Sequence, residues 1–242
     1  MFRHAIVKPV LFLLAATTAM ACDSSQPITW SKATPKQTQA ALSNTLSLGL
    51  NPAFELGQLV VEDHARDPLC PKMTLSGQTE VYEASGCTSS AGHTFKGRLE
   101  RTVIGTTATG KTIDLVFGEF SATTERGTFV LDGDVHEADT AARTSEVTSN
   151  LRFEHDDVVL HIDAAASCSA RRMCKTSEGA SGSIEGLGEF SIDLQIFPDS
   201  SQNILKLKGT DELQLSPSSD NDGCFPYTID GKSAPGQHLC NN

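Results

Sequence analysis

A hydrophobic pattern with a period of two runs through most of the chain from Thr74 onward and constrains its fold more than any other feature. In four stretches the apolar side chains share one parity and the polar side chains the other: 95–103, 129–135, 184–196 and 205–215. Alternation of this kind predicts strands with one buried and one wet face, which is typical of antiparallel sheets. We therefore expect a mainly β fold of eight to ten strands, in one large twisted antiparallel sheet or an open barrel.

Helices are predicted only near the amino terminus. Thr34 can cap a helix with Pro35 at its first position, and leucines recur at 42, 46 and 50, with Gly49 near a plausible end. Asn51-Pro52 repeats the start signal and predicts a second short helix over 54–60. We expect these helices to cover part of the apolar face of the sheet, within a single domain over 34–242.

The first residues of the chain predict an export signal. Arg3, His4 and Lys8 form a basic region, and an apolar stretch over 10–21 follows it. This stretch has the length of a signal-peptide core and is too short to span a bilayer. Residues 1–21 are therefore expected to be a signal peptide.

The end of this stretch, Ala19-Met20-Ala21-Cys22, resembles the lipobox of bacterial lipoproteins. The resemblance implies that Cys22 is lipidated and becomes the first residue after cleavage, with 22–33 as a lipidated tether. It also implies a lipid-anchored protein of the bacterial cell envelope, on the periplasmic or the outer surface. The alternative is a plain secretory signal cleaved after Ala21. Trp30, within the predicted tether, either packs on the domain, which we favour, or inserts at the membrane surface.

The charge of the chain excludes two classes of partner. The formal net charge is −11, and removal of 1–21 takes away two basic residues and makes it −13. Such a surface repels nucleic acid and anionic headgroups. Membrane attachment is therefore predicted to depend on lipid at Cys22 and not on charge.

Six cysteines follow Cys22, and in an exported chain an even number predicts disulfides. Zinc sites use paired C-x-x-C spacing, which this chain lacks. Although six cysteines allow fifteen connectivities, their order favours pairs between neighbours along the chain. The predicted pairs are Cys70–Cys87, Cys168–Cys174 and Cys224–Cys240.

Residues 105–112 match the phosphate-binding loop pattern G-x-x-x-x-G-K-[ST]. That chemistry requires a helix after the loop, because the helix amino terminus binds the phosphates. Here Ile113, Leu115 and Phe117 predict a strand. We interpret the segment as a hairpin turn and predict that it binds no nucleotide.

Two short segments concentrate histidine and carboxylate side chains. One lies at 132–139. In the other, over 154–163, Asp157, His161 and Asp163 share a strand parity and are weak candidates for a metal site or for acid–base catalysis. The alternative is that the second cluster is a solvated hairpin with charged turn residues, and we favour this interpretation over a metal or catalytic site. Ser90 and His93, beside Cys87, are interpreted as loop residues and not as a nucleophile with its base.

Two classes of function remain. The first is a non-enzymatic envelope lipoprotein whose sheet binds a protein, a lipid or a glycan, or acts as a structural module, with no cofactor. The second is a metal-dependent or hydrolytic enzyme that uses the cluster around 155–163. Long strands with short turns leave little loop length for a pocket, which favours the first class.

Overall fold

The computed structural model describes residues 26–240 apart from 107, 109, 172, 221 and 222. The predicted signal peptide over 1–21 and the predicted lipidation site Cys22 lie outside the described residues. Two α-helices are followed by a series of strands, and 3-10 turns occur at Trp30–Lys32 and Ser200–Gln202. The helices are α1 (Pro35–Leu46) and α2 (Leu50–Arg66). The strands are β1 (Lys72–Ser76), β2 (Thr79–Thr88), β3 (Thr94–Thr106), β4 (Gly110–Thr124), β5 (Gly127–Thr140), β6 (Ser145–His155), β7 (Val158–Cys168), β8 (Cys174–Thr176), β9 (Ser181–Ile184), β10 (Gly188–Ile196), β11 (Ile204–Lys208), β12 (Glu212–Leu215), β13 (Phe225–Ile229) and β14 (Lys232–Leu239).

The strands form one antiparallel sheet, which confirms the predicted mainly β fold. The order follows the chain from β1 to β14, except that β9 pairs with β7 and β10 beside the main path. The sheet is open, since no pairing joins β1 to β14 in the described part of the chain. It has fourteen strands there, more than the eight to ten expected, because the alternating stretch 205–215 folds as two strands, β11 and β12, and because a strand of three residues such as β8 is too short to show an alternating pattern.

Both predicted helices are present. Thr34 caps α1 in a capping box with Gln37, with Pro35 at the first position, as the sequence predicts. Gly49 adopts φ 77° between the helices, a left-handed conformation that glycine adopts without a Cβ penalty. The second helix has 17 residues and is longer than predicted, because its buried stripe continues past Val60 to Asp63.

The helices lie against the buried face of the sheet and divide its core. One cluster of buried side chains joins α1 to β7 and the strands after it, with Leu42, Leu160 and Phe190 among its members. The second cluster joins α2 to β2 through β6 and includes Val60 and Phe120. Among the described residues, no helix is both long and apolar enough to cross a membrane.

Residues 26–33 are packed on the domain, so the ordered fold begins before the predicted boundary at residue 34. The carbonyl oxygens of Gln26 and Ile28 lie where a Cβ on Gly188 or Gly209 would be, at 2.2 and 2.1 Å. Only glycine admits this approach of two backbones. Trp30 is fully buried with its ring 5.1 Å from that of Phe190, which agrees with the packing alternative for this residue.

All three predicted cysteine pairs form disulfides: Cys70–Cys87, Cys168–Cys174 and Cys224–Cys240. Each pair joins positions that are near in sequence, separated by 17, 6 and 16 residues. Disulfides persist in oxidising compartments. The pairs therefore indicate a non-reducing, extracytoplasmic environment.

Candidate binding groove

A groove of about 1190 Å³, here called the rim groove, separates the helices from one end of the sheet. Its sides are α1 and α2, and its floor and opposite rim come from the β2–β3, β4–β5 and β6–β7 turns with the adjoining strands. The lining residues are Lys36, Gln39, Ala40, Ser43, Asn44, Asn51, Pro52, Phe54, Glu55, Leu56, Gln58, Leu59, Glu62, His93, Thr124, Glu125, Arg126, Phe129, Leu131, Phe153, His155, Val158, Leu239 and Cys240.

Apolar side chains face each other across the rim groove, among polar side chains that also line it. Phe54 and Leu59 come from α2, whereas Phe129 and Phe153 face them from β5 and β6. All four side chains are only partly buried, although each packs against the core of the α2 half or lies beside it. Apolar surface left partly open in a concave site is typical of a ligand-binding site.

The groove runs across the strands of the sheet. His93, just before β3, lines it at one end, and Val158, at the start of β7, lies four strands further along. Neighbouring strands lie about 4.8 Å apart, so these positions are separated by roughly 19 Å along the sheet. The groove is therefore elongated.

Polar and charged side chains occupy the rim. The imidazole of His155 stacks on Phe129 with the ring centroids 4.1 Å apart and the planes 3° from parallel. Lys36 on α1 forms an ion pair of 3.3 Å with Asp156 in the β6–β7 turn. This contact bridges helix and rim at one end of the groove, and since both groups are about half exposed it contributes little to stability.

A buried carboxylate, Asp63, lies behind the other end. The side chain is fully buried, and its Oδ2 accepts hydrogen bonds from Ser89 Oγ at 2.5 Å and His93 Nδ1 at 2.9 Å. Its Oδ1 is buried with no hydrogen-bond partner in the described part of the chain. Because a carboxylate only accepts hydrogen bonds, Nδ1 of His93 carries a hydrogen. Asp63 therefore fixes the imidazole at the groove wall.

The sequence reasoning missed Asp63, although a signal for it exists. The buried stripe of α2 runs through Ala53, Leu56 and Val60, at intervals of three and four residues, and Asp63 continues the same spacing. A charged residue on the buried stripe of a helix requires a specific partner. Ser90 and His93 lie in the loop between β2 and β3, as the sequence predicts, and the serine that joins His93 at Asp63 is Ser89.

The candidate residues of the second acidic segment do not converge. Asp157 lies in the β6–β7 turn, while His161 and Asp163 lie on β7, on the face opposite the core. Nε2 of His161 donates to Oδ1 of Asn150 at 2.8 Å. No group of three or more histidine, cysteine or acidic side chains in the described ranges is arranged to hold a metal ion.

The remaining segments singled out by sequence lie in regular strands. β3 and β4 pair as a hairpin, as predicted, with Gly105 opposite Lys111 and Thr106 opposite Gly110. In the first acidic segment, His136 pairs with Asp114 across β4 and β5. Burial raises the pKa of Glu137, and the nearby Asp139 raises it further, while Lys111 acts in the opposite direction.

The rim groove exists although the short turns leave little loop length for a pocket. The turns are indeed short, but the helices rest on the sheet without filling the end of its buried face. The cavity thus forms between layers and not within a loop. Comparisons with protein-family models, with curated proteins and with solved structures found no match.

Proposed function

We propose that the protein is an exported, lipid-anchored binding protein of the bacterial cell envelope, and that the rim groove holds an acyl chain. The observation that carries this proposal is the groove itself, in which Phe54 and Leu59 of α2 lie across from apolar side chains of β5 and β6. Binding in such a site is driven by removal of apolar surface from water.

The dimensions of the groove fit a single acyl chain. A bilayer core of about 30 Å contains two leaflets, so the chains of one leaflet extend over about 15 Å. The roughly 19 Å between His93 and Val158 accommodates that length. The volume of about 1190 Å³ lies slightly above the usual range of small-molecule sites, as suits a long ligand.

A lipid anchor at Cys22 would suit a protein that binds acyl chains. Lipid at Cys22 would hold the domain beside the bilayer from which such a ligand comes, with three residues between the anchor and Gln26, where the described chain begins. The proposed function involves no catalytic step, because the groove residues bind and orient the ligand.

A charge placed on the apolar wall is expected to abolish ligand binding. In a titration of the purified chain with the uncharged fluorescent probe N-phenylnaphthylamine, we expect saturable binding at one site. Leu59→Glu places a carboxylate among the apolar groups of the groove, and we expect at least tenfold weaker binding, since desolvating a charge without a partner is costly.

Leu46→Glu is the matched control for this titration. Leu46 is also a helical leucine, it is 41% exposed, and it does not line the groove. This variant should bind the probe as the unmodified chain does. Absence of probe binding to the unmodified chain, or equal binding by Leu59→Glu, would contradict the proposal.

Lipid anchoring has a separate test. In cells that export the chain, Cys22→Ala should move the mature protein from the membrane fraction to the soluble fraction, because the net charge gives no attraction to anionic headgroups. Fractionation with immunodetection measures this. Retention of the variant in the membrane at the level of the unmodified protein would refute anchoring through Cys22.

A further inference from the structure

We infer that the ligand carries an acidic group and that His93 binds this group at its end of the rim groove. The inference rests on the proposed function and deepens it, since it identifies the ligand class as a carboxylic acid with an acyl chain, a fatty acid. It starts from the buried pair formed by Asp63 and His93.

The geometry leaves one atom of His93 available to a ligand. Nδ1 is held by Asp63 at 2.9 Å, and the side chain of His93 is only 24% exposed. Because His93 lines the groove, Nε2, on the opposite edge of the ring, is the nitrogen left for a ligand there. Phe95 packs edge-on to the same ring at 6.4 Å and helps to hold its orientation. The imidazole is thus positioned before any ligand arrives.

An acidic group suits this nitrogen better than any neutral headgroup. With the Nδ1 hydrogen directed at Asp63, Nε2 of the neutral imidazole accepts a hydrogen bond from a carboxylic acid, and Nε2–H of the imidazolium donates one to a carboxylate. The bond thus needs one proton shared between the imidazole and the ligand. In the second case the bond is charge-assisted, which makes it stronger than a bond between neutral groups. An alcohol forms only the neutral bond.

Charged side chains of both signs line the groove, Lys36 and Arg126 on one hand and Glu55, Glu62 and Glu125 on the other. Arg126 lines the groove from the β4–β5 turn, next to the end of β3, where Thr94 pairs with Thr123. Glu62, the nearest acidic residue along α2 that lines this end, is engaged by Gln58 at 2.9 Å and Arg66 at 3.8 Å. The negative charge of Glu62 is therefore partly compensated, which reduces its repulsion of a carboxylate at this end.

The test compares lauric acid with lauryl alcohol as competitors for N-phenylnaphthylamine on the purified exported chain. The two competitors share the same chain length and differ only in the headgroup. We expect the acid to displace the probe at about a tenfold lower concentration than the alcohol, the effect of one charge-assisted hydrogen bond. His93→Phe keeps a ring of similar size against Phe95 and should remove this preference, because the acid loses a stronger hydrogen bond than the alcohol does.

His155→Phe is the matched control, because His155 also lines the groove but stacks on Phe129 without a buried carboxylate behind it. This variant should keep the preference for the acid. Equal displacement by acid and alcohol from the unmodified chain would overturn the inference and leave the proposed function standing. Failure of the probe to bind at all would overturn both. Should His93→Phe not fold, the comparison on the unmodified chain still decides.

Discussion

Reduction of the three disulfides is expected to lower the free energy of unfolding by about 8 kcal/mol, as chain entropy in the unfolded state is regained. The estimate follows from loops closed over separations of 17, 6 and 16 residues. Domains of this kind have total stabilities of about 5–15 kcal/mol, so the reduced chain should be marginally stable. Urea unfolding followed by circular dichroism, with and without reductant, measures the difference.

The smallest loop supplies the control for this prediction. Replacement of Cys168 and Cys174 together by serine opens a separation of 6 residues and should cost only about 2 kcal/mol. If the fully reduced chain and the oxidised chain unfold at the same urea concentration, the disulfides do not stabilise the sheet as described.

Trp30→Ala is expected to destabilise the fold by about 3–5 kcal/mol, the usual cost of deleting a buried tryptophan. The side chain of Trp30 is fully buried, and its ring packs on that of Phe190. The backbone N–H of Trp30 also donates to Oδ1 of Asp211 at 2.5 Å, which holds the amino-terminal segment against β12. Loss of the ring should therefore weaken the attachment of 26–33.

Trp30→Phe distinguishes packing from hydrogen bonding at this position. The indole Nε1 is buried without a hydrogen-bond partner in the described part of the chain, so phenylalanine loses ring contacts but no hydrogen bond. We expect this variant to retain more than half of the stability that alanine loses. A destabilisation by alanine below about 1 kcal/mol, the level of many surface substitutions, would contradict the packing assigned to Trp30.

The fold was largely predictable because its determinants are local. Alternation over long strands such as β5 and β7 depends only on neighbouring positions, and the capping box of Thr34 and Gln37 spans a single turn. The disulfides were also predictable, since each closes between elements that are adjacent in the meander. The short strand β8 was not, because three residues carry no measurable period.

The groove depends on long-range geometry and so could not be predicted in the same way. Its walls combine α2 with β5 and β6, and their separation follows from how the helices rest on a curved sheet. The pairing of Asp63 with His93 joins positions 30 residues apart. A charged residue on the buried stripe of α2 indicates that some partner exists, but the sheet register decides which one.

The central claim, that the rim groove holds an acyl chain, is tested most directly by photolabelling with a diazirine-bearing fatty acid. After irradiation, mass spectrometry should locate the label on groove residues of α2, β5 and β6, such as Phe54, Phe129 and Phe153. Unlabelled lauric acid should compete for this labelling, and Leu59→Glu should reduce it. Label confined to the outer face of the sheet, for example at Val116, or label that no competitor removes, would contradict the claim.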